Sequence, residues 1–221
     1  MKKKYLVGLV FCIIIIVGII LTATIGLNLN LMYSNHKSID IYLEKEFDNN
    51  DIYIIAKEVF GNEEVKVQKV ELYEDIASII VKDATDEQLE QLSSKINEKY
   101  QLTNEVSSIK VSQVMSVTDI PRVRLVDMAK QYVVYTGISA VLILVYFSIR
   151  FNKLGIAKTV VGSIIVTVLA EALYMAIIAI TRYPIDKIAI IGAVAIYMLI
   201  MIFLNNNFLK QTAKAKAVAK K

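Results

Sequence analysis

YLVGLVFCIIIIVGIILTATIGL, residues 5–27, passes without a single charged side chain. A run of that kind exceeds the roughly 20 apolar residues needed to cross a bilayer as a helix. It must be helical there, because lipid offers backbone N–H and C=O groups no partner. Residues 131–149 (QYVVYTGISAVLILVYFSI) and 188–209 are equally free of charge, and residues 159–181 carry one, Glu171. A long polar stretch separates the first run from the second. The layout predicts an α+β membrane protein with four transmembrane helices and one extramembrane domain between helices 1 and 2. The boundaries read as follows: residues 1–27 form a basic N-terminus and span one, and residues 28–129 the domain with its linkers. Residues 130–209 hold spans two to four, and residues 210–221 a basic tail.

The formal net charge of +4 hides an asymmetry. Residues 37–127 hold 19 Asp and Glu against 11 Lys and Arg, a net of −8, which leaves about +12 for the rest. Lys2, Lys3 and Lys4 precede span one; Arg150, Lys153 and Lys158 lie between spans two and three; Lys210, Lys214, Lys216, Lys220 and Lys221 follow span four. The positive-inside rule places these groups, and so both termini, in the cytoplasm of a multi-pass cell-membrane protein. The acidic domain and the short 182–187 loop then lie outside, with Arg182 and Lys187 in that loop counting against the scheme. The first run is longer than the 7–15-residue core of a cleaved signal and reads as an uncleaved anchor. Cys12, the sole cysteine, excludes an internal disulfide, and the bulky Phe11 before it does not fit a lipoprotein cleavage site. His36 is the sole histidine, so histidine-based triads and metal clusters are not expected, and no cofactor is called for.

In the polar stretch, Ile39, Ile41 and Leu43 alternate with Asp40 and Tyr42, a strand pattern. Ile52, Ile55, Ala56, Val59 and Phe60 fall on one helical face, stopped by Gly61. Residues 64–72 and 76–82 read as two strands joined at Tyr73-Glu74-Asp75. Thr85-Asp86-Glu87-Gln88 has capping-box spacing and opens a helix with Leu89, Leu92, Ile96 and Tyr100 inward. Residues 105–115, with Val106, Ile109 and Val111, read as the last strand. The order β-α-β-β-α-β predicts a ferredoxin-like domain. It carries no phosphate loop or paired catalytic carboxylates, its acidic surface disfavours nucleic acid, and no nucleophile–base set suggests an enzyme.

Anchor, βαββαβ domain and return into the membrane together resemble the SecF half of the SecD/SecF protein-export family, of the resistance–nodulation–division superfamily. Gly26-Leu27-Asn28-Leu29 leading into Ser38-Ile39-Asp40-Ile41-Tyr42-Leu43 is similar to that family's passage from span one to its first strand. Tyr146-Phe147-Ser148-Ile149-Arg150-Phe151 is similar to its aromatic run ending in Arg-Phe, and Val111-Ser112-Gln113-Val114 to its last strand. The resemblance implies an accessory subunit of protein translocation. It implies a SecD-like partner and the translocon channel, with unfolded exported polypeptide as the client and the lipid bilayer as the setting. The chain departs from the family in having four spans rather than six. Met32-Tyr33-Ser34-Asn35-His36 stands where the family has an acidic residue and a glycine pair, and residues 188–205 lack its intramembrane carboxylate. The proton-relay residues therefore do not carry over, and the chain reads as a diverged and shortened member. The alternatives are a small transport or scaffold protein of the same superfamily, or a sensor or structural membrane module without a transport role.

Ser163, Thr167, Glu171 and Tyr174 fall at i, i+4, i+8 and i+11, a candidate intramembrane polar stripe. Two readings stand: a titrating Glu171, or a protonated one that fixes helix packing through hydrogen bonds to the stripe, to Tyr197 or to Tyr135. Ala172, Ala176 and Ala179 offer small side chains for close helix approach. The Ala- and Lys-rich tail reads as a positive flank held loosely at the lipid surface.

Overall fold

The computed structural model describes residues 3–43, 46–61, 63–70, 73–100 and 115–218. The chain divides into two compact units: Met1–Asn28 with Leu125–Lys221, and Leu29–Arg124.

The first unit is helical: α1 (Lys3–Thr24), α4 (Leu125–Arg150), α5 (Ile156–Thr181) and α6 (Lys187–Val218). All four are long and apolar enough to cross a membrane, which makes this a multi-pass membrane protein. Most of their large apolar side chains face outward, as helices bathed in lipid require. α5 packs against α1, α6 and α4. The α1–α5 crossing is tight: a Cβ on Gly18 would collide with the Cα and Cβ of Ala176. Helices in lipid gain little from burying apolar surface against one another, so small residues that let backbones approach supply the attraction. Ala176 and Ala179 are both buried here.

α1 stops three residues before the end of its uncharged run. Gly26 takes a positive φ of 78°, which turns the chain out of the helix. There Asn28 Nδ2 donates to Arg182 O at 2.8 Å and Arg182 Nη1 donates to Gly26 O at 2.6 Å. Ile185 N donates to Asn28 O at 2.8 Å, so the α5–α6 loop is stapled to the end of α1. At the opposite end, a 3₁₀ turn (Asn152–Leu154) and Gly155, with φ 91°, reverse the chain between α4 and α5. Phe147, Phe151 and Phe208 close that end as a triangle with centroids 5.9, 5.4 and 5.4 Å apart.

α6 does not end with its apolar run but stays helical to Val218. The basic tail expected from residue 210 is helical as far as Val218. Ala, Lys and Gln are among the best helix formers, and a helix already nucleated in lipid extends through them at little cost. At 1.5 Å per residue α6 is about 48 Å long, well beyond the roughly 30 Å hydrocarbon core.

The second unit runs β1 (His36–Tyr42), α2 (Asn49–Phe60), β2 (Val65–Val70), β3 (Tyr73–Val81), α3 (Asp86–Tyr100) and β4 (Met115–Ile120). The strands form one antiparallel sheet in the order β2-β3-β1-β4. Ile39 pairs with Ile79 and Ile41 with Ala77, so period-two alternation carries all four to one face. There they meet Ile52, Ile55, Ala56 and Phe60 of α2 and Leu92 and Ile96 of α3 in one core. Leu89, Val59 and Tyr100 pack against its rim.

The α3 capping box is reciprocal. Gln88 N donates to Thr85 Oγ1 at 3.3 Å, and Thr85 N donates to Gln88 Oε1 at 2.9 Å. Asp48 Oδ1 caps α2 by accepting from Asn50 N at 2.9 Å. Two details differ from the sequence expectation. Tyr73-Glu74-Asp75 is not a connection but the start of β3, with Tyr73 paired to Val70 across a register shift. The described last strand is β4, at 115–120. Most of the expected 105–115 strand, including Val106, Ile109 and Val111, lies outside the described residues, as does Val111-Ser112-Gln113-Val114.

Candidate functional site

Three helices of the membrane unit wall a cleft of about 470 Å³. α4 contributes Ala129, Tyr132, Thr136, Gly137 and Ala140; α5 contributes Thr167 and Glu171; α6 contributes Ala193 and Tyr197. The cause is local. Small side chains on α4 (Ala129, Gly137 and Ala140) line the hollow, and Phe147 and Phe151 pack in a cluster that shares Tyr197 and Met201 with it. Glu171 is the sole ionisable carboxyl on these walls.

The stripe residues do not converge on Glu171. Ser163 Oγ donates to Thr159 O at 2.5 Å and Thr167 Oγ1 to Ser163 O at 2.8 Å, so both hydroxyls are satisfied within their own helix. Such back-bonding is the ordinary recourse of Ser and Thr in a helix without water. Tyr174 OH crosses to α6 and donates to Ala189 O at 2.8 Å. Its ring lies over Gly192, where a Cβ would strike the phenolic oxygen. Tyr197 OH pairs with Ser139 Oγ at 3.3 Å. Glu171 Oε1 is buried and has no hydrogen-bond partner among the described residues. The expected interhelical bonds from Glu171 to the stripe or to Tyr197 are therefore absent from this structure.

Tyr135, named from sequence as a second phenolic partner, is 76% exposed and lies away from the cleft. Tyr132, three positions earlier, lines it instead. A seam of Ala129, Tyr132, Thr136 and Ala140 at i, i+3, i+7 and i+11 was the signal for this wall. Ala172 and Ala176 line a second hollow, against Gly18 of α1. The small-residue face of α5 is thus occupied by the chain's own first helix.

The family-like positions have structural work of their own. Gly26 and Asn28 make the staple to Arg182, and Leu27 lines the α1–α5 hollow. Leu29 opens the second unit. Phe151 is buried in the aromatic triangle, and Arg150 lies over the Tyr146 ring with its guanidinium 5.8 Å from the centroid. Among the described residues, no group of His, Cys, Asp or Glu is arranged to hold a metal ion. His36 is a buried strand residue whose Nδ1 meets Ser34 O at 2.9 Å.

No protein-family model matches this chain, and no curated protein matches its sequence.

Proposed function

We propose that the chain is a SecF-like accessory membrane subunit that assists protein translocation across the cytoplasmic membrane. The observation that carries the reading is the placement of the sheet domain. It is inserted between the first and second of four membrane helices, with elements in βαββαβ order and strands in the order β2-β3-β1-β4. That order supports reading the domain as ferredoxin-like. The staple through Gly26 and Asn28 adds support, since the stretch most like the family is also the one that fixes the end of α1 to the α5–α6 loop.

On this reading both termini are cytoplasmic and the sheet domain lies outside. There it meets emerging chains or the outer domain of a SecD-like partner, while the helices dock beside the channel. Among the described residues Glu171 Oε1 has no hydrogen-bond partner, and on this reading the subunit does without the family's usual proton-relay carboxylate. The test is purification from native membranes in mild detergent, with partners identified by mass spectrometry. Recovery of a SecD-like protein or the channel is the expected result, together with accumulation of unexported precursors when the chain is depleted. Depletion that leaves export unchanged, with neither partner recovered, rejects the proposal.

A further inference from the structure

The α4–α5–α6 cleft has a shape and a chemistry that the export reading does not use. It runs from Ala129 to Leu144 along α4 and from Ile190 to Met201 along α6, about 16–22 Å at the helical rise. Its volume is about 470 Å³. A small-molecule site is typically of this size, apolar, with a few polar groups that fix orientation.

The walls are apolar except for Tyr132, Thr136, Thr167, Glu171 and Tyr197. Glu171 Oε1 is buried there without a partner. A lipid tail in the cleft would leave it so, at the cost that any unmatched buried polar atom carries. A trapped water needs several polar partners; the hydroxyls of Thr167 and Tyr197 are engaged elsewhere, which leaves those of Tyr132 and Thr136. A cation or strong donor on an apolar body satisfies both the walls and the carboxyl.

We propose that this cleft binds a lipophilic amine, an ammonium group on a slender apolar body, with Glu171 as its counter-ion. The site is independent of whether the chain serves export.

The test uses the purified full-length protein in phosphatidylcholine vesicles, with photoreactive dodecylamine and matched photoreactive dodecanol as probes and labelled residues mapped by mass spectrometry. Wild-type protein should be labelled on the cleft faces of α4 and α6, with the amine favoured about tenfold or more over the alcohol. Glu171→Gln should erase that preference and leave alcohol labelling unchanged. Gly137→Phe should reduce labelling by both probes, because a Cβ on Gly137 enters open space and the ring would fill the hollow. Equal labelling by amine and alcohol in the wild type would mean that the cleft merely admits bilayer chains, and would overturn the proposal. So would an amine preference that survives Glu171→Gln, or labelling confined to the lipid-facing side chains of α4.

Discussion

At the scale of single residues, the membrane unit is governed by what touches Gly18 and what fails to touch Glu171. Gly18 permits α1 and α5 to meet backbone to backbone. Gly18→Leu should therefore force the helices apart, at the 1–3 kcal/mol typical of overpacking, and should lower the thermal midpoint measured in detergent. Gly8→Leu, at a position with open space around it, is the control and should change little. Glu171 gives the opposite sign. Its buried oxygen makes no hydrogen bond, so removing the carboxyl removes a desolvation cost rather than a contact. Glu171→Leu should match or exceed the wild type in thermal stability, whereas Glu171→Lys should impair assembly by placing a longer charge in the same hollow. A Leu variant that unfolds well below the wild type would show that Glu171 holds the helices together after all. The carboxylate stood out in the sequence because ionisable residues are rare in apolar runs. Its surroundings did not, because periodicity fixes which residues share a face but not which neighbour that face meets. Tyr132 and Tyr135 differ by only three positions, about 60° around the helix, yet only the first lines the cleft.

At the scale of elements, the sequence was most readable where burial is strong and local chemistry is specific. The α2 and α3 faces follow from helical spacing, and the Thr85–Gln88 box forms as its spacing predicts. Thr85→Ala should cost the isolated domain about 0.5–2 kcal/mol, the usual range for a lost N-cap, in urea unfolding followed by circular dichroism. Phe60 is buried in the core, and Phe60→Ala should cost about 3–5 kcal/mol in the same assay. β4 was missed for a physical reason. Ser116, Val117, Thr118 and Asp119 are all exposed at the sheet edge, so the strand carries no alternation of buried and open positions. The helical extension of α6 escaped the hydropathy reading for a similar reason, since helix propensity, not apolarity, carries it past the membrane.

Electrostatics on the domain act in one direction on the acid side. Asp83 is held below its ordinary pKa, mainly by the hydrogen bond from Ala84 N and then by Lys37, and Glu58 is lowered by its hydrogen bond from Lys95. A depressed carboxyl stabilises the fold above its unfolded pKa, and that contribution is lost as pH falls through the folded value. Thermal midpoints of the isolated domain should therefore decline on acidification below about pH 4. Asp83→Asn should flatten part of that decline. Both carboxyls are exposed, so the effect should be small and should shrink in high salt.

For the whole molecule, the division at Asn28/Leu29 and Arg124/Leu125 makes a direct claim about folding. Residues 29–124 contain the complete four-stranded sheet and its core, and should give a cooperative unfolding transition when expressed alone. The topology follows from charge and from parity. With the four candidate spans all crossing, both ends of the chain would lie on one side, and the positive-inside rule applied to Arg150, Lys153, Lys158, Lys210, Lys214 and Lys216 predicts that this side is the cytoplasm. Arg182, a cation of the opposite loop, donates a hydrogen bond to Gly26 O and so has a structural role there as well. A reporter active only outside the membrane should thus give signal when fused after Tyr100 and none when fused after Lys221. Removing Arg182 should leave that pattern intact. Adding lysines on both sides of the 182–187 loop should instead weaken it, because the first-helix bias would then compete with a second cationic cluster. A signal from the Lys221 fusion alone would invert the topology and place the sheet domain in the cytoplasm, where an export role for it could not operate.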